Sequence, residues 1–285
     1  MTDEQFIATA GGGILYDASR LSKPRAELFS RSHWAAQGAL EEISGGRSSI
    51  ALLNVAAWPD LQAAGVQTGS SSVAGSARAG LAHAGPSDAG SSVERPSGEG
   101  LGSTRWVLRH YRRGGLIARL SQDGYLWTGA DRTRSFAEWR LLAEMRRRGL
   151  PVPAPIAAHY ARGWLTYRAD LITELLPDTR TLADEITGRD APEAVWRAVG
   201  STIATFHREG VHHADLNANN ILLGQDRARV YLLDFDRGRI ERRGPWEQVV
   251  IARLRRSLEK IKSQRADVRF GEREWQWLVA ALERR

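Results

Sequence analysis

The 285-residue sequence predicts an α+β protein of two lobes, an antiparallel sheet in residues 1–173 and a mainly helical half in residues 174–285. Two observations carry this. Strand-like runs such as "SSIALLNVAAW", "RWVLRHYRR" and "GWLTYRADLITELLP" concentrate early, whereas long stretches with helical spacing concentrate late. A hydrophobic content of 42% supplies enough apolar mass for a core in each half.

In chain order, "HWAAQGALEEI" reads as a short helix, and "SGGRSSIALLNVAAW" as a glycine turn feeding an apolar strand. From residue 63 to 103, 26 of 41 residues are Gly, Ala or Ser, too little apolar mass to offset ordering, so a disordered insertion is expected. "RWVLRHYRRGG" alternates like a strand and ends in a glycine turn, so the insertion separates two strands of one sheet. "TRSFAEWRLLAEMRRRGLPVP" places Phe136, Trp139, Leu142 and Met145 on one helical face, closes on Gly149 and stops at Pro151. "GWLTYRADLITELLP" follows as two short strands and a connector. "APEAVWRAVGSTIATFHREG" is a second amphipathic helix, "NNILLG" and "RVYLLDFDRG" are paired short strands, and "WEQVVIARLRRSLEKIKSQ" and "GEREWQWLVAALERR" are closing helices.

The net charge of +7 comes mainly from arginine, clustered in "RHYRRGG", "RRR", "RGRIERR" and "RLRRSLEK". Such a surface favours phosphates, an anionic membrane face or nucleic acid. Nucleic acid is not expected, because no aromatic-basic interleaving or binding module accompanies the charge. The absence of cysteine excludes disulfides and thiolate chemistry and leaves oxygen or imidazole to hold any metal. Neither a secretory layout at "MTDEQFIATAGGG" nor a run of about 18 apolar residues is present, so export and membrane spanning are not expected.

The most informative stretch is "GVHHADLNANNILLG", Gly210 to Gly224. Asp215 and Asn220 lie in a polar loop, and Asp234 ends the apolar strand of "VYLLDFDRG", where an unpaired carboxylate is costly. This mixed amide and carboxylate set suits Mg²⁺ that shares its coordination with substrate phosphates. "HADLNANN" resembles the H-R-D-L-x-x-x-N loop of protein kinases, and "DFD" at 234–236 resembles their D-F-G. The resemblance implies a bilobal protein-kinase-like fold, ATP as phosphoryl donor, Asp215 as the acceptor of the substrate hydroxyl's proton, and Asn220 and Asp234 as ligands of Mg²⁺. His213 is expected to pack or hydrogen-bond the loop, and His212 to be a strand residue.

Further parts follow from the same likeness. Gly45, Gly46 and Arg47 in "SGGRSS" fit either a phosphate-covering loop or an ordinary turn. Arg109 stands where the third-strand lysine of kinases sits. Glu138 resembles that residue's helix partner, although "SFAE", Ser135 to Glu138, also reads as a capping box. Glu174 and Leu175 in "LITELLP" are expected to offer backbone groups to the adenine edge. Departures also stand out: Asn217 replaces the kinase lysine and becomes a candidate acceptor or phosphate contact, Ala214 replaces the arginine, and Asp236 replaces the glycine as a second metal ligand or a turn cap.

Longer strings, "LRHYRRGGL", "DGYLW", "TRSFAEWRLL", "GLPVPAPIAA", "YRADLITE", "HADLNANNILL" and "LLDFDRG", resemble the bacterial 3-deoxy-D-manno-octulosonic acid (Kdo) kinases. That resemblance implies an ATP-dependent sugar kinase phosphorylating the 4-hydroxyl of Kdo on a lipid A precursor during lipopolysaccharide inner-core biosynthesis. It implies a peripheral location on the cytoplasmic face of the bacterial inner membrane, with the anionic glycolipid and the anionic membrane surface as partners. A related aminoglycoside- or choline-type small-molecule kinase and a nucleotide-binding pseudokinase module stay open as alternatives.

Overall fold

The computed structural model describes residues 2–43, 49–57, 105–112 and 124–283. The expected insertion 63–103 lies outside the described residues, as do Gly45, Gly46 and Arg47.

The first half begins with the strands β1 (Glu4–Thr9) and β2 (Gly12–Asp17), then a short helix α1 (Arg31–Ala36), β3 (Leu40–Ile43) and β4 (Ser49–Asn54). After them come β5 (Arg105–His110), β6 (Tyr125–Leu126), the long helix α2 (Arg134–Arg147), β7 (Pro155–Arg162) and β8 (Thr166–Glu174). These strands form one antiparallel sheet in the order β1-β2-β7-β8-β5-β4-β3, with β6 added to the start of β8. Alternating side chains serve two cores. One face sets Leu15, Tyr160 and Leu171 against Phe136, Trp139, Leu142 and Met145 of α2. The other sets Ile14, Trp106, Leu108 and Ile172 under Leu28, Phe29 and Trp34.

Covering both faces explains two departures from expectation. β7 is a run of buried residues rather than an alternating strand, and its prolines lie at its start and just before it, so no strand was anticipated there. "GWLTYRADLITELLP" is not two strands: Gly163 to Leu165 form a turn, and β8 is a single nine-residue strand. The β1–β2 hairpin was also unanticipated.

The second half contains β9 (Arg180–Thr181), the one-turn helix α3 (Leu182–Glu185), α4 (Glu193–Arg208), β10 (Val211–His212), β11 (Ile221–Leu223), β12 (Val230–Leu232), β13 (Arg239–Ile240), α5 (Trp246–Gln264) and α6 (Glu272–Leu282). Helix α4 buries Val195, Trp196, Val199, Ile203 and Phe206. It approaches α6 so closely at Gly200 that a Cβ there would lie 2.2 Å from the Leu278 carbonyl oxygen. β11 pairs antiparallel with β12 and β9, while β10 pairs with β13.

His207, near the end of α4, is buried with the Trp246 ring edge-on at 5.2 Å. Burial lowers its pKa to about 4; Glu247 opposes the shift, while Arg243 and His212 add to it. The unfolded chain therefore takes up this proton first as pH falls below 6.5, and stability on the order of 3 kcal/mol is lost between pH 6.5 and about 4. Denaturation at stepped pH should show that His207→Asn flattens this part of the acid limb; an unchanged slope would contradict a neutral buried ring.

Candidate active site

Arg109 points from β5 to the α2 side of the sheet, the face it shares with Val107 and Tyr111. Its guanidinium bonds the Glu138 carboxylate of α2 through Nη2 and the Asp234 carboxylate through Nη1. Tyr111 donates its hydroxyl to Glu138 Oε2 at 2.6 Å and accepts from Arg109 Nη2 at 2.9 Å. The Phe235 backbone N–H donates to Glu138 Oε1 at 3.1 Å. One buried carboxylate thus joins the sheet, the helix and the strand end behind β12.

The pKa directions follow from this packing. Burial alone would disfavour the Arg109 charge, yet facing Glu138, Tyr111 and Asp234 outweigh it and raise its pKa further. Burial pushes Glu138 up, with Arg109 pulling it down, and pushes Tyr111 well up. Burial also opposes ionisation of Asp234, but Arg109 beside it wins and holds that carboxyl below its usual range. The capping-box reading of "SFAE" is corrected here. Thr133 precedes the first turn of α2, Ser135 donates to the His159 carbonyl oxygen at 2.8 Å, and Glu138 is an ion-pair residue.

The short β11–β12 hairpin sets the register of the polar loop. Ile221 faces Leu232, and the Leu233 N–H donates to the Asn220 carbonyl oxygen at 2.9 Å, which brings Asn220 beside the Asp234 segment. His213 is buried and locks the two sides together: Nε2–H donates to the Leu233 carbonyl at 2.8 Å, and Nδ1 accepts from the Asp215 N–H at 3.2 Å. Phe235 is packed between His213, 4.6 Å between ring centres, and Phe206 of α4, 5.9 Å. Asp234 itself has φ +59, a left-handed conformation that an aspartate tolerates better than most residues. Gly238 closes this segment where a Cβ would meet Leu141 and the Phe235 carbonyl, each at 2.9 Å.

The remaining residues singled out in the sequence take the following places. Asn217 uses each end of its amide once inside the loop, donating to the Asp215 carbonyl at 2.9 Å and accepting from the Asn219 N–H at 3.0 Å. Asn217 thus caps the loop. The Glu174 and Leu175 N–H groups donate to the Ala154 and Arg105 carbonyls at 2.9 and 3.0 Å, so neither amide can donate to an adenine edge while the strands stay paired. Asp236 accepts from Arg134 at 2.7 Å rather than capping a turn, and burial raises its pKa against the pull of Arg134. His212 lies in β10, stacked on Trp246 and paired with Glu241 at 2.5 Å.

Arg253, on α5, is the residue that sequence reasoning missed. Its Nε and Nη2 reach Asp215 Oδ1 at 2.6 and 2.5 Å. One turn further, Ser257 Oγ accepts the Ala218 N–H at 3.2 Å, so α5 braces the loop twice. The arginine cluster "RLRRSLEK" was visible, but nothing in it pointed to Asp215.

An Mg²⁺ ion fits the donors present. Asn220 donates through its nitrogen to the Asp215 carbonyl at 3.1 Å, which leaves its amide oxygen as the ligating end. Asp234 supplies a carboxylate, and Asp236 Oδ1 is buried with no hydrogen-bond partner among the described residues. Hard oxygen donors of this kind match Mg²⁺.

A strand-borne cation paired to a helix glutamate, an exposed loop carboxylate and a second carboxylate at a strand end, set between an antiparallel-sheet half and a mainly helical half, are the parts of a phosphotransferase. The model of the lipopolysaccharide kinase (Kdo/WaaP) family matches residues 90–281, and the chain belongs to that family. It is similar to the 3-deoxy-D-manno-octulosonic acid kinase of Stenotrophomonas maltophilia strain R551-3, 40% identical over 258 residues, 90% of this chain and 83% of that protein. The protein of the same description from Xanthomonas euvesicatoria pv. vesicatoria strain 85-10 is 47% identical with the same coverage. Among solved structures, the Cydia pomonella granulovirus kinase PK-1 is 15% identical, with a TM-score of 0.32 over 48% of this chain and 44% of that one, too low to bear on the fold.

Removing one partner of a buried ion pair strands the other. Glu138→Ala should therefore cost about 3–5 kcal/mol of unfolding free energy, and Tyr111→Phe about 1–3 kcal/mol, read from urea denaturation. A larger loss for Tyr111→Phe than for Glu138→Ala would contradict the central role of the carboxylate.

Proposed function

We propose that this chain is a Kdo kinase, transferring the γ-phosphoryl group of ATP to the 4-hydroxyl of a Kdo residue on a lipid A precursor in lipopolysaccharide inner-core assembly. One observation carries the reading: family membership over residues 90–281 spans the segment in which Arg109 pairs with Glu138 and Asp234 and Asn220 bonds the Asp215 loop.

Asp215 accepts the proton of the acceptor hydroxyl as that oxygen bonds to the γ-phosphorus. The bond from phosphorus to the β,γ-bridging oxygen breaks, and ADP leaves with the electron pair. Proton acceptance of this kind contributes about 10²- to 10⁴-fold in rate. Asn220 and Asp234 would hold Mg²⁺, which when bound offsets phosphate charge. Arg109, fixed by Glu138, stands where it can meet phosphate oxygens with its planar fork. Arg253 is a positioning residue: its double contact aims the Asp215 carboxylate and places a cation beside a loop that has Asn217 where kinases carry lysine. The lipid-borne acceptor and the net charge of +7 support peripheral attachment to the cytoplasmic face of the inner membrane. No helix among the described residues is long and apolar enough to cross a membrane.

Purified chain with ATP, Mg²⁺ and Kdo-lipid acceptor should yield ADP and a product heavier by one phosphate by mass spectrometry. Transfer to an aminoglycoside or choline instead would overturn the assignment. Asp215→Ala should reduce turnover at least about 10²-fold with ATP binding kept. Arg253→Ala should lower kcat on the order of tenfold with KM for ATP unchanged, and Arg253→Lys should restore part of it. Because Arg253 is half-exposed, little stability should be lost, so an unaltered kcat would remove its positioning role.

A further inference from the structure

The turn of the β7–β8 hairpin holds two large apolar side chains out in solvent: Trp164 is 90% exposed and Leu165 61%. Leu126, 67% exposed, lies on β6 opposite Thr166, and the neighbouring Trp127 N–H donates to the Leu165 carbonyl at 3.0 Å. Three apolar residues therefore crown one end of the sheet. The turn is closed by Gly163 N–H donating to the Thr166 carbonyl at 2.7 Å. From below, Trp127 packs on Tyr160 and Tyr167 at 5.0 and 6.1 Å between ring centres, and the Arg162 guanidinium covers its indole. Single exposed hydrophobic residues are ordinary on a monomer. A braced group of three, with exposed Arg162 and Arg168 at its base, is not scatter of that kind.

Indole and leucine side chains flanked by two exposed arginines match the chemistry of an anionic bilayer surface. Tryptophan settles at headgroup level, leucine enters the acyl boundary, and arginine meets lipid phosphates. A second copy docking through the same tip would set Arg162 and Arg168 against like charges, so lipid is the favoured occupant. A chain of hydrogen bonds links the base of the tip to Asp236. Tyr167, just inside the hairpin, accepts the Arg134 backbone N–H at 3.1 Å, and the Arg134 guanidinium donates to Asp236 at 2.7 Å.

We infer that the β7–β8 turn together with Leu126 is a membrane-docking element that seats the chain on an anionic bilayer, with the Asp236 edge of the cleft toward the lipid. The inference builds on the lipid-borne acceptor proposed above and names the surface that brings the cleft to it.

Co-flotation of the full chain with vesicles tests it, comparing phosphatidylcholine alone with phosphatidylcholine mixed with phosphatidylglycerol. Wild type should partition to the anionic vesicles. The double variant Trp164→Ser, Leu165→Ser should partition at least about tenfold less, with an unchanged Tm because both residues are exposed. The variant should transfer phosphate normally to a lipid-free Kdo sugar and poorly to acceptor embedded in anionic vesicles. Equal partition of variant and wild type overturns the inference, as does partition indifferent to lipid charge. A tip-dependent dimer in analytical ultracentrifugation would assign the patch to a second copy and overturn it too. Failure of wild type to phosphorylate any Kdo acceptor would undo the proposed reaction, while the vesicle comparison still decides the docking element.

Discussion

Arg109 sits between two carboxylates from different parts of the chain, and the cleft depends on that shared guanidinium. Glu138 comes from the helix α2 and Asp234 from the strand end after β12, while Arg109 itself belongs to the sheet. A buried guanidinium needs compensating charge, and a buried Glu138 needs donors. Each requirement is met only when sheet, helix and strand end are docked together. Tyr111 and the Phe235 N–H complete the hydrogen bonds of Glu138, so the helix cannot shift without exposing a charge deficit.

The same logic runs through the Asp215 loop on a smaller scale. His213 is buried in its neutral form, which burial favours, and uses one nitrogen as donor and the other as acceptor. It thereby fixes the distance between the loop backbone and the strand that ends in Asp234. Phe235 fills the space between His213 and Phe206, tying this link to the core of the second lobe. Asp215 is left exposed, and α5 steadies its loop from outside through Arg253 and Ser257.

Much of the architecture could be read from periodicity because α2, α4, α5 and α6 each bury one stripe of side chains. The strands covered on both faces were harder. β7 carries apolar residues on every side and has prolines at its entrance, and so lacks the alternation that marks a half-buried strand. The N-terminal hairpin escaped notice because β1 is largely exposed and short. At the site, Asp215, Asn220 and Asp234 were legible because loop and strand end lie close in sequence and carry an unusual density of polar groups. The pairing of the Glu174 and Leu175 amides was not legible, because backbone groups leave no trace in residue type and their partners are set by strand pairing.

The sequence by itself determined where the polar residues fall: local spacing places Asp215 in a loop, Asn220 before β11, Asp234 after β12 and Glu138 in the first turns of α2. It left Glu138 with two roles, since a residue at the third position after a serine can cap a helix or pair with a distant cation. Only the tertiary structure decided between them, by starting the helix at Arg134 and burying Glu138 against Arg109. It also decided that Arg253 meets Asp215 and that Asn217 turns inward, because such contacts join residues far apart in the chain, where local pattern holds no information about distance.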